Sequence, residues 1–560
     1  MPNLVTNVAA AVEEHGDTPA IGFQGEETTY EEFWAQTGAF AAALEERGLG
    51  ADDRVAIYLP NVPPFVIAFH GTLRAGGVVV PMNPQYKARE IGHLLGDSEA
   101  KVVVTLADLV PFVTEVRDDT SVEHVVSVGG EAEGATPFEE FLVRGAPEIV
   151  DRADDDVAVQ PYTSGTTGQP KGVQLTHENL ASNADMADQL IPDGIRPDDK
   201  QLGVLPLFHI YGMTVVMNST LFNGGMYYAV PEWDAQEAVS IVEDEELTLM
   251  HGVPAMYNDI INQPDAEAFD LSSLRLCGVG GSGIPVEVLR QFEDRYEPKI
   301  YEGYGLTETS PITHFNSPIE GRRVGSIGKT VPGVDSKVVD ENFEEVAPVE
   351  EGPIDEESVA SKTQRGEGSA ERSSANRSSG RSPREDGEAA GAVDLGEITG
   401  ELVVSGPNVM KGYYGLPEAN EEAFTEEDGR RWFHTGDLGY HDEDGFFYVV
   451  DREKHMIVTG GYNVYPREVE ELLFEHEAVA DAAVVGIPDE RRGETVKAFV
   501  VPTPDADVTP DDLKGYCLTN LAEYKHPREV EFVEELPRTT TGKVQKFKLR
   551  DRDESAAEAE

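Results

Sequence analysis

Short β-branched runs alternate with amphipathic helical stretches through the first two-thirds of the chain, and this alternation narrows the fold more than any other feature. Residues 101–105 (KVVVT), 203–206, 247–250 and 274–279 read as buried strands. Helical spacing follows, as in 285–296, where Pro285 suits a first helical turn. Strands and helices in this order argue for α/β layers with largely parallel sheets. After Asp451 the texture changes: 464–474 has helical spacing, while 482–485 and 498–502 read as strands. That pattern predicts a small α+β domain of about 100 residues. A chain of 560 residues also exceeds what one hydrophobic core supports, so at least two domains are expected.

Two segments break the pattern. Residues 344–396 are acidic at first, then Ser/Gly/Arg-rich with almost no apolar side chain, and they predict a disordered insert. Residues 551–560 predict a frayed acidic tail. Lys and Arg total 44 against 105 Asp and Glu, a formal charge of −61. Such a charge repels nucleic-acid phosphates and anionic membranes, so neither is expected as a partner, and it suits a surface kept hydrated in high salt, as in a halophile. The stretch 201–231 carries no charge apart from a titrating His209, but Pro206 and Gly224-Gly225 interrupt it. It reads as a buried strand–helix–strand, not an integral membrane segment. Cys277 and Cys517 lack metal-ligand spacing and predict neither a disulfide framework nor a zinc site. The N-terminus has no basic start, and a cytoplasmic location is expected.

Residues 162–172, Tyr-Thr-Ser-Gly-Thr-Thr-Gly-Gln-Pro-Lys-Gly, carry the strongest chemical signal. Glycines let the backbone turn tightly and present N–H groups; Thr163, Ser164, Thr166 and Thr167 add hydroxyl donors around Gly165 and Gly168; Lys171 adds a mobile positive charge. The combination suits a nucleotide triphosphate. The spacing is not that of a Walker loop, and neither Ser164 nor Ser282 lies in a Gly-x-Ser-x-Gly elbow.

With this string, five further ordered motifs resemble the adenylate-forming superfamily of acyl-CoA synthetases, aryl-CoA ligases, luciferases and peptide-synthetase adenylation domains. They are 205–212 (LPLFHIYG), 301–309 (YEGYGLTET), 400–414 (GELVVSGPNVMKGYY) with 432–439 (WFHTGDLG), 451–470 (DREKHMIVTGGYNVYPREVE) and 537–544 (PRTTTGKV). The likeness runs from about Thr28 to Arg550. It implies an α/β fold: a multi-sheet N-terminal domain with a distorted barrel subdomain over 1–452, and a small mobile α+β C-terminal domain over 453–550. The block 451–470 is similar to the fatty-acyl branch, except that His455 stands where that family usually has an acidic residue.

The resemblance also implies roles. Glu308 would hold the Mg2+ that accompanies ATP, and Thr307 would bind phosphate. Tyr304 would stack on adenine, beside Gly281 and Ser282. Asp437, assisted by Arg452, would accept the ribose hydroxyls. Lys543 would be the catalytic lysine, Lys454 the hinge, Gly461 part of the pantetheine tunnel, and His209 a guard of the acyl site. The implied reaction activates a medium- or long-chain fatty acid through acyl-AMP and passes it to coenzyme A. Alternatives are an aryl-acid CoA ligase, with Tyr211 and Met213 flanking a ring, acyl transfer to a carrier protein, and a sensor that binds acyl nucleotides without turnover. The partners are thus a small carboxylic acid, ATP and CoA; oligomeric state is left open.

Overall fold

Strand Arg54–Tyr58 shows how the sequence pattern becomes layers: Val55 and Ile57 enter one core, while Ala56 and Tyr58 enter another. Val102 and Val104 against Val103 divide in the same way on the neighbouring strand. A strand buried on both faces reads as a continuous apolar run, which is why 101–105 was legible. The computed structural model describes residues 3–557 apart from 165–169, 265, 351–397, 453–454, 460–461, 490, 505, 507, 522 and 540–543.

Two nine-stranded sheets form the large domain. In one, strands Ile300–Gly305, Leu276–Val279, Leu249–Gly252, Lys200–Gly203, Met226–Ala229 and Pro19–Phe23 pair in parallel in that order. Antiparallel strands complete both of its edges. The other centres on Val157–Val159, Val78–Pro81, Arg54–Tyr58, Val102–Leu106 and His124–Val128, again parallel, with Pro170–Thr176 antiparallel beyond them. One continuous core joins the two sheets, filled by Phe33, Phe40, Phe65 and Phe69 from helices Tyr30–Glu46 and Pro63–Arg74. Truncating any such fully buried Phe to Ala would cost about 3–5 kcal/mol. Helix Tyr30–Glu46 starts where it does because Thr29 and Glu32 cap each other's backbone N–H groups, at 3.2 and 3.1 Å.

A third, antiparallel sheet holds Asp335–Val339, Gly400–Ser405, Arg430–His441, Phe424–Glu427 and Phe447–Arg452, in the place of the expected barrel subdomain. The fourth sheet belongs to the C-terminal region, built on strands Val479–Asp489 and Gly493–Pro502 and on helices Pro466–Phe474 and Pro510–Asn520 around Val469, Leu473, Val484, Ala498 and Leu513. Cys277 and Cys517 are free and buried. Among the described residues no helix is long and apolar enough to cross a membrane. The uncharged stretch is strand Lys200–Gly203, the π-helix Tyr211–Asn218 running into Ser219–Phe222, and strand Met226–Ala229.

Several boundaries differ from the sequence reading. The strand read at 203–206 ends at Gly203, because Val204 and Leu205 are buried in the turn that follows, not in the ladder. Pro285 precedes its helix, Val286–Arg295, with an extended ψ of 132°. Helix Pro466–Phe474 begins after Val464, which ends a short strand. Residues 344–350, read as the start of the irregular insert, are tied down: Val346 N–H donates to the Val338 carbonyl at 2.9 Å and Val349 N–H to that of His441 at 3.0 Å. The rest of the insert, 351–396, lies outside the described residues. Helix Lys546–Ala557 runs into the segment read as a frayed tail.

Both flanks of the insert are anchored, since Ile398 packs with Val349 against Tyr440 and Tyr448 and Gly400 opens a strand. Deleting 361–384 should therefore leave turnover within a few-fold of the parent, because shortening a connector changes closure entropy only slightly. Loss of activity with the thermal transition unchanged would assign the segment a working role.

Candidate active site

Strands Tyr162–Ser164 and Pro170–Thr176 form a hairpin in which Lys171 lies opposite Thr163 and Pro170 opposite Ser164. The turn that joins them, with Gly165, Thr166, Thr167 and Gly168, lies outside the described residues. Thr163 and Lys171 line a cavity of about 930 Å³. The Lys171 ammonium sits 4.9 Å over the Tyr413 ring, and the Tyr413 hydroxyl donates to Glu308 Oε1 at 2.9 Å. Tyr413 is held in turn by Asn420, whose Oδ1 accepts its N–H at 2.7 Å and whose Nδ2 donates to its carbonyl at 3.0 Å. Burial and the Glu308 carboxylate both raise the phenol's pKa, so it stays a donor. One tyrosine thus contacts both a cation and an anion on the cavity wall.

Glu308 and Thr307 occupy a single 3₁₀ turn, Thr307–Thr309, at the end of strand Ile300–Gly305. Met410 N–H donates to the Glu308 carbonyl at 2.8 Å, and Asn408 Nδ2 donates to the Thr309 carbonyl at 2.8 Å. The 407–411 segment therefore fixes the turn that carries Glu308. Among the described residues no group of three or more His, Cys, Asp or Glu could cage a metal. A single hard carboxylate oxygen on the wall still suits Mg2+, which takes one or two carboxylates and completes its shell from phosphate and water.

Asp437 is 3% exposed, and both its oxygens are engaged: Oδ2 accepts from the Tyr304 hydroxyl at 2.6 Å and Oδ1 pairs with Arg452 Nε at 2.8 Å. Asp437 and Arg452 are cross-strand partners, which brings the pair together by register. The Tyr304 ring packs with Val338, Leu402 and Phe447, and its pKa is raised by burial and by Asp437. Sequence alone set these residues side by side on a nucleotide; the tyrosine's bond to the aspartate was not legible. Gly281, with φ of +83°, turns the loop that carries Ser282 along the same cavity.

His209 lines the cavity just ahead of the π-helix, with Leu205, Phe208, Tyr211, Val215 and Val253. A π-helix of this kind is rare and frequents functional sites. The Tyr211 hydroxyl meets His251 Nδ1 at 2.9 Å, and burial lowers the His251 pKa to about 4, so that imidazole is neutral at pH 7. Met213 is fully buried in the main core and does not reach the cavity, contrary to the sequence reading. From the C-terminal region, Arg538 and Val544 form an isolated antiparallel bridge, and both line the cavity with Thr539 and Lys546. Lys543, Lys454 and Gly461 lie outside the described residues.

The chain that builds this cavity matches known proteins over nearly all of its length. Residues 8–354 fit the family model of AMP-binding enzymes, and residues 468–543 fit that of the AMP-binding enzyme C-terminal domain. The chain belongs to the AMP-binding enzyme family. It is similar to a long-chain-fatty-acid–CoA ligase of Bacillus subtilis, 36% identical over 98% of this chain and 94% of that protein. It is also similar to a feruloyl-CoA synthase of an Amycolatopsis species, 34% identical over 95% of each. Among solved structures, an anthranilate CoA ligase in complex with anthranoyl-AMP superposes with a TM-score of 0.85, at 25% identity, covering 99% of this chain and 98% of the other. As an adenylate-forming member of the family, this chain is an acid–thiol ligase that uses ATP.

Sequence reasoning passed over Tyr413, Arg467 and Glu302, although each lies inside a motif it quoted. Tyr413→Phe keeps the ring under Lys171 and removes the donor to Glu308. Hydrogen bonds to charged groups contribute about 1.5–3 kcal/mol, so half-saturation by ATP should rise about ten-fold or more in pyrophosphate-release assays. An unchanged ATP dependence would separate Glu308 from Tyr413.

Proposed function

We propose that the protein is a fatty-acid:CoA ligase acting on medium or long chains. Acid and ATP give acyl-AMP and pyrophosphate; the CoA thiolate then attacks the acyl carbonyl, and AMP leaves. The observation that carries this reading is near-full-length similarity to a long-chain ligase; Leu205, Phe208, Tyr211, Val215 and Val253 add apolar and aromatic surface to the cavity wall. An aryl acid is the second reading, favoured by the feruloyl-CoA synthase likeness and by Tyr211, which could flank a ring.

The proposed roles follow from chemistry. Thr163, Ser164 and the 165–168 turn cradle phosphates, and Lys171 neutralises them. Glu308 holds Mg2+, which supplies charge neutralisation on the polyphosphate, and Thr307 binds phosphate beside it. Gly281, Ser282 and Tyr304 flank the adenine, and Asp437 with Arg452 receives the ribose. A carboxylate attacking phosphorus meets anion–anion repulsion, which the Lys543 ammonium lowers in a water-poor cavity. His209 guards the acyl entrance. Residues 1–452 and 453–550 act as two domains about Lys454, so that rotation withdraws Lys543 and brings Gly461 to the pantetheine path. Arg538 and Val544, on either side of Lys543 in sequence, border the cavity, which supports this reading.

Competing acids of graded length and aromatic acids, offered together with ATP and CoA, should give saturated acyl-CoA products by mass spectrometry. Dominance of aryl products would favour the second reading. Lys543→Ala should nearly abolish pyrophosphate release yet spare thioester formation from supplied acyl-AMP, with a loss of about 3–4 kcal/mol in the first step only. Equal loss in both steps would remove Lys543 from this role.

A further inference from the structure

One arginine of the small domain enters the wall of the large domain beside the nucleotide cavity. Arg467 is the second residue of helix Pro466–Phe474. Its guanidinium donates to the Val449 carbonyl at 3.2 Å and to Glu471 Oε1 at 2.9 Å, and its backbone N–H donates to Asp451 Oδ2 at 3.3 Å. It lies against Gly283, where an added Cβ would meet the guanidinium Nη2, Cζ and Nη1 at 2.5, 2.6 and 2.9 Å. Only glycine leaves room for it. Gly283 directly follows Gly281 and Ser282, so this notch and the nucleotide wall are one loop. Glu302 borders the same cavity, 7% exposed, and accepts the Gly325 N–H at 3.2 Å.

We infer that seating of Arg467 in the notch of Gly283 and Val449, on the cavity that Glu302 also borders, holds the small domain where Arg538, Thr539 and Val544 line that cavity. Arg467 and Glu302 are then positioning residues for acyl-adenylate formation, not for thioester formation. The inference rests on the two-step, two-arrangement reading proposed above.

The charges around the notch support it. Burial pushes Glu302 up to about 7; Arg467 is the strongest influence opposing that rise, followed by the Gly325 N–H and Arg322, while Glu471 adds to it. Arg322 is itself paired with Glu293 at 2.6 Å. Glu471, Glu302 and Asp451 in turn hold Arg467 firmly charged. Arg467 and Glu471 share one helix, so the cation and the anion that face Glu302 from the small domain arrive and leave together.

The test uses the full-length chain and its variants Arg467→Ala, Arg467→Lys and Glu302→Gln, each checked by circular-dichroism melting. Pyrophosphate release from acid and ATP without CoA reads one step, and CoA-thioester formation from supplied acyl-AMP reads the other. Arg467→Ala should slow the first about ten-fold or more and leave the second unchanged or faster, because weakening one arrangement populates the other. Lysine should restore part of the loss. Should Arg467→Ala fail to fold, Glu302→Gln carries the same comparison of steps. An equal loss in both steps or a parental ratio of steps would overturn the inference. A parent protein that cannot perform either step would instead overturn the ligase reading.

Discussion

Asp437 sits where three parts of the molecule meet. Its strand, Arg430–His441, belongs to the antiparallel sheet; Tyr304, which donates to it at 2.6 Å, ends a central strand of a nine-stranded sheet; and Arg452, paired with it at 2.8 Å, is the last residue of strand Phe447–Arg452 before the C-terminal region. A nearly buried carboxylate loses several kcal/mol of hydration, and the guanidinium and phenol offset that loss only together. Removing the guanidinium would leave a buried charge unpaired, at a cost of about 3–5 kcal/mol, whereas removing the phenol hydroxyl would cost one charged hydrogen bond, about 1.5–3 kcal/mol. The relative placement of the sheets around the cavity, and the point at which the chain leaves the large domain, are therefore coupled to one side chain that also borders the nucleotide site.

The remainder of the site uses the same economy of contacts. Tyr413 contacts Lys171 and Glu308 at once, and Asn420 fixes Tyr413 through both of its backbone groups. Lys171 and Glu308, on one cavity wall, are thus oriented by a neutral ring instead of being pulled into each other. Such preorganisation matters because donors and charges held in advance need little rearrangement when charge moves during reaction. Elsewhere on the wall the Tyr211 hydroxyl and His251 satisfy each other, beside the apolar side chains of Leu205, Val215 and Val253.

Much of this was legible in the sequence, for identifiable reasons. Strands such as Val102–Leu106 announce themselves because both faces are buried, and the Thr163-to-Lys171 string because phosphate binding demands small, flexible and hydroxyl-bearing residues together. Local boundaries slipped where burial continued past the ladder, as at Val204 and Leu205, or where a proline preceded its helix instead of opening it, as at Pro285. What the sequence could not convey was approach between distant residues: Tyr304 to Asp437, Tyr413 to Glu308, and Arg467 to Gly283. Each residue lies in a recognisable motif, but no periodicity encodes which partner it meets. Met213 is the converse case, close in sequence to the acyl wall yet turned into the core by the helix that carries it.

The central claim, activation of an acid as its adenylate, leaves a trace in oxygen atoms. In that route a carboxylate oxygen becomes bonded to the α-phosphorus and stays there when the thiol displaces the acyl group. Turnover of a fatty acid carrying 18O in both carboxylate positions, followed by mass spectrometry of the nucleotide, measures this directly. The account requires one labelled oxygen in AMP for each acyl-CoA formed, and none in pyrophosphate. Label in inorganic phosphate with ADP as the nucleotide product, or unlabelled AMP, would contradict it.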